Sequence, residues 1–238
     1  MKKNDLLNFV SRYHLAGATT AVKWIAQSGT IQTNFITDDQ NVIGTINATN
    51  IDLGDKEIGV YATPQLVKML TAVGDEIDVN VNSVDTTSVS INIKDTDVDM
   101  IFMLADLSVI RQVPNLKNTP DWNASMNITK EFTTRFIKAN NALPESENFG
   151  VKCINDKVEI IINYSSINTN RIKFSLNAPG STDMGVICFS ATLFKEILQA
   201  NKDATSGKLE ISSAGLSRVT FSGKDYSSTY YLVQLQTA

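Results

Sequence analysis

Histidine occurs once in this 238-residue chain, at His14, and cysteine twice, at Cys153 and Cys188. One histidine excludes a multi-histidine metal site, and a histidine-based triad anywhere away from residue 14. Two cysteines are too few for a disulfide framework or a cysteine-built zinc site. No run approaches the ~18 apolar residues that span a bilayer, and Met1-Lys2-Lys3-Asn4-Asp5 does not lead into a signal-peptide apolar region. Neither Gly-x-x-x-x-Gly-Lys-Ser/Thr nor Gly-x-Gly-x-x-Gly occurs, so the nucleotide-binding loops are missing too. The Asp95-x-Asp97-x-Asp99 run opens like a calcium loop, but Met100 stands where glycine is needed and Asp106 where a bidentate glutamate is usual. A hairpin turn is expected there instead. A soluble cytoplasmic protein that is not an enzyme and needs no metal or cofactor is the expectation.

What the chain does contain is short strands. Alternation or compact apolar runs mark Val22–Gln27, Ile31–Ile36, Ile58–Tyr61, Ile77–Val81, Val89–Ile93 and Met100–Leu104. Gly150–Ile154, Val158–Tyr164, Arg171–Leu176, Gly185–Phe189, Leu209–Ser212, Val219–Ser222 and Tyr230–Leu235 continue the series. Ser28-Gly29 and Asn155-Asp156 are the clearest tight turns. Helical spacing is confined to four segments: Asp5–His14, Gln65–Val73 after Thr63-Pro64, Lys130–Ala142 after Thr129, and Ala191–Lys202 after Ser190.

Each helix is followed by strands, and the pattern repeats. Gly59-Val60-Tyr61, Leu66, Lys68, Leu70 and Ile77-Asp78-Val79 overlay Gly185-Val186-Ile187, Leu193, Lys195, Ile197 and Leu209-Glu210-Ile211 with small insertions. The overlay continues with Val89 on Val219 and Phe102-Met103-Leu104 on Leu232-Val233-Gln234. A tandem duplication follows: a domain over 1–106, a linker over 107–121 carrying Pro114 and Pro120, and a second domain over 122–238. The expected class is α+β, each domain holding antiparallel sheets with two short helices on one face.

Charge is distributed unevenly. Residues 2–14 and the other three helical segments hold nine of the 21 basic residues and three of the 25 acidic ones. The helices therefore carry +6 and the remainder −10. Lysine and arginine are good helix formers, which accounts for one such helix more readily than for four. A cationic surface on an acidic body suits a polyanion held by its phosphates, without base reading.

These features together resemble a DNA sliding clamp, most closely the homotrimeric clamp of T-even-like bacteriophages. The likeness lies in the doubled unit, the midpoint linker, the four basic helices, and the textures of Ile58-Gly59-Val60-Tyr61-Ala62-Thr63-Pro64-Gln65-Leu66 and Arg171-Ile172-Lys173-Phe174-Ser175-Leu176. A chain shorter than a typical archaeal or eukaryotic clamp subunit points to the phage type. The resemblance implies a homotrimeric ring of six similar domains, with helices lining a hole for double-stranded DNA. Arg12, Lys68, Lys130, Arg135, Lys138, Lys195 and Lys202 would then face the DNA. Subunits would join through edge strands at Asp99–Ala105, with Met100, Ile101, Phe102 and Met103, and at Arg171–Asn177, with Arg171, Ile172, Lys173 and Phe174. A replicative DNA polymerase and a clamp loader ATPase would dock near the linker at Val109, Ile110, Val113, Pro114 and Leu116, and at Tyr230 and Tyr231. The competing expectation is a phage structural or scaffold protein of duplicated β domains that does not encircle DNA.

Overall fold

The computed structural model describes residues 1–114, 116, 118–167 and 169–236. Asn115 and Lys117, within the expected linker, lie outside the described residues. The chain divides into two compact units, one of residues 1–114 with 225–228 and one of 115–224 with 229–238.

In the first unit, helix α1 (Lys3–His14) leads into β1 (Val22–Gln27), β2 (Thr30–Ile36), β3 (Val42–Thr49) and β4 (Lys56–Val60), which lie side by side in the order β4-β1-β2-β3. Helix α2 (Thr63–Leu70) then leads into β5 (Asp78–Val84), β6 (Thr87–Lys94) and β7 (Asp99–Met103), a three-stranded sheet in sequence order. The β1–β2 turn is built by Ser28 and Gly29 at φ 51° and 74°. Two successive positive φ values match the twist of the flanking strands. Val22, Trp24 and Ala26 alternate inward along β1, where Phe9 of α1 meets Trp24 edge-on at 5.5 Å between ring centres. Gly59 of β4 lies against the chain leaving β7. Its carbonyl accepts from the Ala105 amide at 2.9 Å, and a Cβ at this position would sit 2.4 Å from the Ala105 carbonyl oxygen.

The second unit opens with β8 (Ala124–Asn127) and α3 (Lys130–Ala142), followed by β9 (Asn148–Ile154), β10 (Lys157–Ile162), β11 (Ile172–Asn177) and β12 (Met184–Ser190) in the order β11-β10-β9-β12. Helix α4 (Ala191–Ala200) precedes β13 (Ser206–Ser212), β14 (Leu216–Ser222) and β15 (Tyr226–Val233), whose first residues 226–228 belong to the first unit, and β8 pairs with β13. Asn155 and Asp156, at φ 51° and 59°, turn β9 into β10. Thr129 Oγ1 accepts from the Phe132 amide and Ser190 Oγ from the Leu193 amide, capping both helices as their sequences suggest. The helices close over a phenylalanine cluster: Phe194 lies 4.8 Å from Phe136 and 4.9 Å from Phe149, centre to centre.

The observed elements depart from the expected ones in several places: α1 begins at Lys3, α2 ends at Leu70 rather than Val73, and β15 begins at Tyr226 rather than Tyr230. β3 and β8 were not foreseen. β3 alternates inward through Val42, Gly44, Ile46 and Ala48, and its two small residues dilute the apolar signal; β8 is only four residues long. Thr63 is already the first residue of α2, two positions ahead of the expected start at Gln65, with Ala62 at the cap position and the Thr63 hydroxyl 3.5 Å from that of Tyr13. α4 ends at Ala200, so Lys202 lies in the turn beyond it. The Asp95-x-Asp97-x-Asp99 run is a turn: Asp95 accepts from the amides of Gly74, Asp97 and Val98, which together hold its carboxyl below the usual range.

Candidate functional site

Three kinds of surface arise from this architecture: helix faces turned to solvent, sheet edges, and the linker cleft. The helix faces are set by periodicity. In α3 the buried Phe132, Phe136, Ala139 and Asn140 leave Lys130, Thr134 and Lys138 exposed on the other side. Arg135 pairs with Glu131 one turn earlier. In α2, Leu66 and Leu70 are buried and Lys68 is exposed. Lys195 of α4 is half-buried, with its ammonium 3.7 Å from the Glu196 carboxylate.

Arg12 departs from the expected set. It is 3% exposed, and its guanidinium carbon stands 3.3 Å from the centre of the Tyr226 ring. The helical period turns position 12 inward, so its charge is spent in stacking rather than presented to solvent. Arg12 therefore drops out of the residues expected to face DNA.

The strands expected to join subunits are edges of their sheets. β7 has β6 on one side, and β11 has β10. Ile101 and Met103 are 59% and 57% exposed on β7, while Phe102 between them is buried and Met100 half-buried. Along β11, Ile172, Phe174 and Leu176 are half-buried and alternate with exposed Lys173, Ser175 and Asn177; Arg171 just ahead is also exposed. An edge strand leaves a row of backbone donors and acceptors open to another chain.

After β7, Asp106 accepts from the Ser108 amide at 2.8 Å and starts a short 3-10 turn over Leu107–Val109. A cleft of about 300 Å³ follows, with Ile25, Leu107, Ile110 and Val113 as its apolar wall and Lys23 and Arg111 at its polar margin. Ile110 and Val113 were expected from sequence. Ile25 and Leu107 were not, because Ile25 is brought in from a strand far away in the chain. Val109 is 71% exposed and stands outside the cleft lining, and Pro114 and Leu116 are exposed. Tyr230 is fully buried and its hydroxyl receives the Asn201 side-chain amide at 2.8 Å. It packs the second unit and offers no docking surface, correcting the expectation; Tyr231, its neighbour on the opposite strand face, is half-buried.

Among the described residues, no group of three or more His, Cys, Asp or Glu is arranged to hold a metal ion. No helix there is long and apolar enough to cross a membrane.

No family model matches the sequence, and no curated protein matches it. Solved structures do. The PCNA2-PCNA3 complex from Sulfolobus tokodaii gives a TM-score of 0.73 at 10% identity, covering 97% of this chain and 96% of that one. Proliferating cellular nuclear antigen from Entamoeba histolytica gives 0.72 at 13%, covering 99% and 96%. A structure of the C-terminal region of FEN-1 bound to A. fulgidus PCNA gives 0.77 at 15%, covering 100% and 98%. Coverage this complete removes chain length as a distinction from archaeal and eukaryotic clamps. The chain has the two-domain α+β fold of the DNA sliding clamps.

Proposed function

We propose that this protein is a sliding clamp: three copies close head to tail around duplex DNA and tether a replicative polymerase, with a separate ATPase as loader. The observation that carries the reading is a full-length clamp fold in which an acidic chain keeps its helices cationic. Lys68, Lys130, Arg135, Lys138, Lys195 and Lys202 line the hole. Contacts of this type are weak and salt-sensitive, which permits sliding. Processivity comes from topology, since a tethered polymerase stays at high local concentration. β7 of one subunit adds to β11 of the next, covering Ile101 and Met103. The cleft at Ile110 and Val113 receives a mainly hydrophobic peptide end of a partner. The finer assignment, to the homotrimeric type of T-even-like bacteriophages in the host cytoplasm, rests on the local texture of residues 58–66 and 171–176.

Light scattering tests the assembly. A particle of about 78 kDa, three times 26.1 kDa, is expected, and a monomer across the micromolar range refutes the ring. Retention on nicked circular DNA, with release on linearisation, is the functional counterpart.

A further inference from the structure

The duplication makes the two units comparable position by position. The first residues of α1 and α3, Lys3 and Lys130, are 127 apart. At this offset buried Phe9 falls on buried Phe136, and buried Tyr13 on buried Asn140. The same offset sets Ser11 against Lys138, Asn8 against Arg135 and Asn4 against Glu131. All three α1 residues are exposed, so its solvent face carries amides and a hydroxyl where α3 carries charges.

The cations of α1 are turned elsewhere. Arg12 is buried against Tyr226. Lys3 donates to the Val73 carbonyl at 2.7 Å, with its side chain only 16% exposed. Lys2 is exposed but lies ahead of the helix, its backbone bridged to Glu76. α2 adds Lys68. In the second unit, Lys130, Thr134 and Lys138 form an i, i+4, i+8 stripe along α3. Its two lysines are about 12 Å apart along the axis, at about 1.5 Å per residue. One strand of a duplex sets three or four phosphates over about that length. Lys202, in the turn after α4, shares with Lys130 the wall of a cleft of about 680 Å³.

We infer that the second unit carries most of the phosphate contacts, along the Lys130–Lys138 stripe and Lys202, while the α1 face of the first unit stands clear of the duplex. The occupant is the phosphate backbone of double-stranded DNA, selected by charge complementarity to an exposed lysine stripe on an otherwise acidic chain. The inference rests on the clamp reading and adds to it an asymmetry between the duplicated halves: the second unit holds most of the contacts, and the first unit adds Lys68 of α2.

Two full-length double variants test it, each lowering the subunit charge by the same amount. Lys130→Gln with Lys138→Gln removes the stripe, and Asn8→Glu with Ser11→Glu puts acid on the α1 positions that match Arg135 and Lys138. Binding of a 30-base-pair fluorescent duplex is measured by anisotropy at several salt concentrations, alongside light scattering. The first variant is expected to weaken binding about five- to tenfold at low salt and to flatten the salt dependence. The second is expected to change affinity less than twofold. Equal losses in both, with trimer mass and wild-type binding intact, overturn the asymmetry and leave the clamp standing. A wild-type protein that neither trimerises nor binds duplex overturns both.

Discussion

At the residue scale, Glu210 shows how a buried charge is kept. It is 5% exposed on β13, with Lys208 Nζ at 2.8 Å and Arg218 Nε at 2.6 Å. Burial pushes its carboxyl up, but the hydrogen bonds and charges of Arg218 and Lys208 outweigh burial and leave it below the usual range. A carboxylate lowered in the folded state adds stability above its unfolded pKa, and that contribution is lost as pH falls through the folded value. Glu210→Gln is therefore expected to cost about 2 kcal/mol in urea unfolding at pH 7. The gap between variant and wild type should close in the acid range below ordinary carboxylate values. Cys188 illustrates the opposite outcome. Burial alone pushes its thiol up to about 11, so little thiolate exists at neutral pH. Both Cys153 and Cys188 are buried, and a thiol reagent should label them only after unfolding. Faster labelling of the native protein would contradict this packing.

Elements are governed by close approach and by edges. Gly59 and Gly185 occupy matching places before the second helix of each unit, yet their surroundings differ. A Cβ on Gly59 meets the Ala105 carbonyl oxygen at 2.4 Å, whereas one on Gly185 meets nothing within 4 Å. Gly59→Ala should lower stability by about 2–3 kcal/mol, and Gly185→Ala should stay within about 0.5 kcal/mol of wild type. Thermal unfolding of the pair checks this, and equal effects would show that the approach to Ala105 is not tight. On β7 the outward Ile101 and Met103 put two large apolar side chains on one exposed edge strand, where polar residues are more usual. Ile101→Glu with Met103→Glu should leave far-UV circular dichroism unchanged and move the light-scattering mass from about 78 kDa toward 26.1 kDa. Much of this level was readable from residue types. Thr129 and Ser190 announce their helices, and Ser28-Gly29 and Asn155-Asp156 announce their hairpins. β3 escaped because Gly44 and Ala48 fill inward positions with little apolar bulk.

On the scale of the whole molecule, a ring separates affinity from retention. Raising salt weakens phosphate contacts steeply, but a closed ring on circular DNA cannot leave by dissociating from phosphates. The protein should stay on nicked circular DNA at 200 mM salt after it has released a short linear duplex. Loss from both at the same salt concentration would mean that no topological link exists. On the proposed reading the second unit would supply most of the contacts, because a sliding ring needs only a low, even attraction, which three lysine stripes spaced around the hole would provide.

Composition, period-2 alternation, helix caps and the internal repeat were enough to decide the class, the duplicated plan, and the concentration of positive charge on the helices. These are local properties, carried by neighbours a few positions apart. Which of those charges reaches solvent was decided only by tertiary packing. Arg12 and Lys138 both read as basic residues on amphipathic helices, but the helical phase and the partner at Tyr226 bury one and leave the other free. The linker cleft likewise needs Ile25 beside Ile110 and Val113, a meeting of distant segments that sheet pairing creates and sequence spacing does not express.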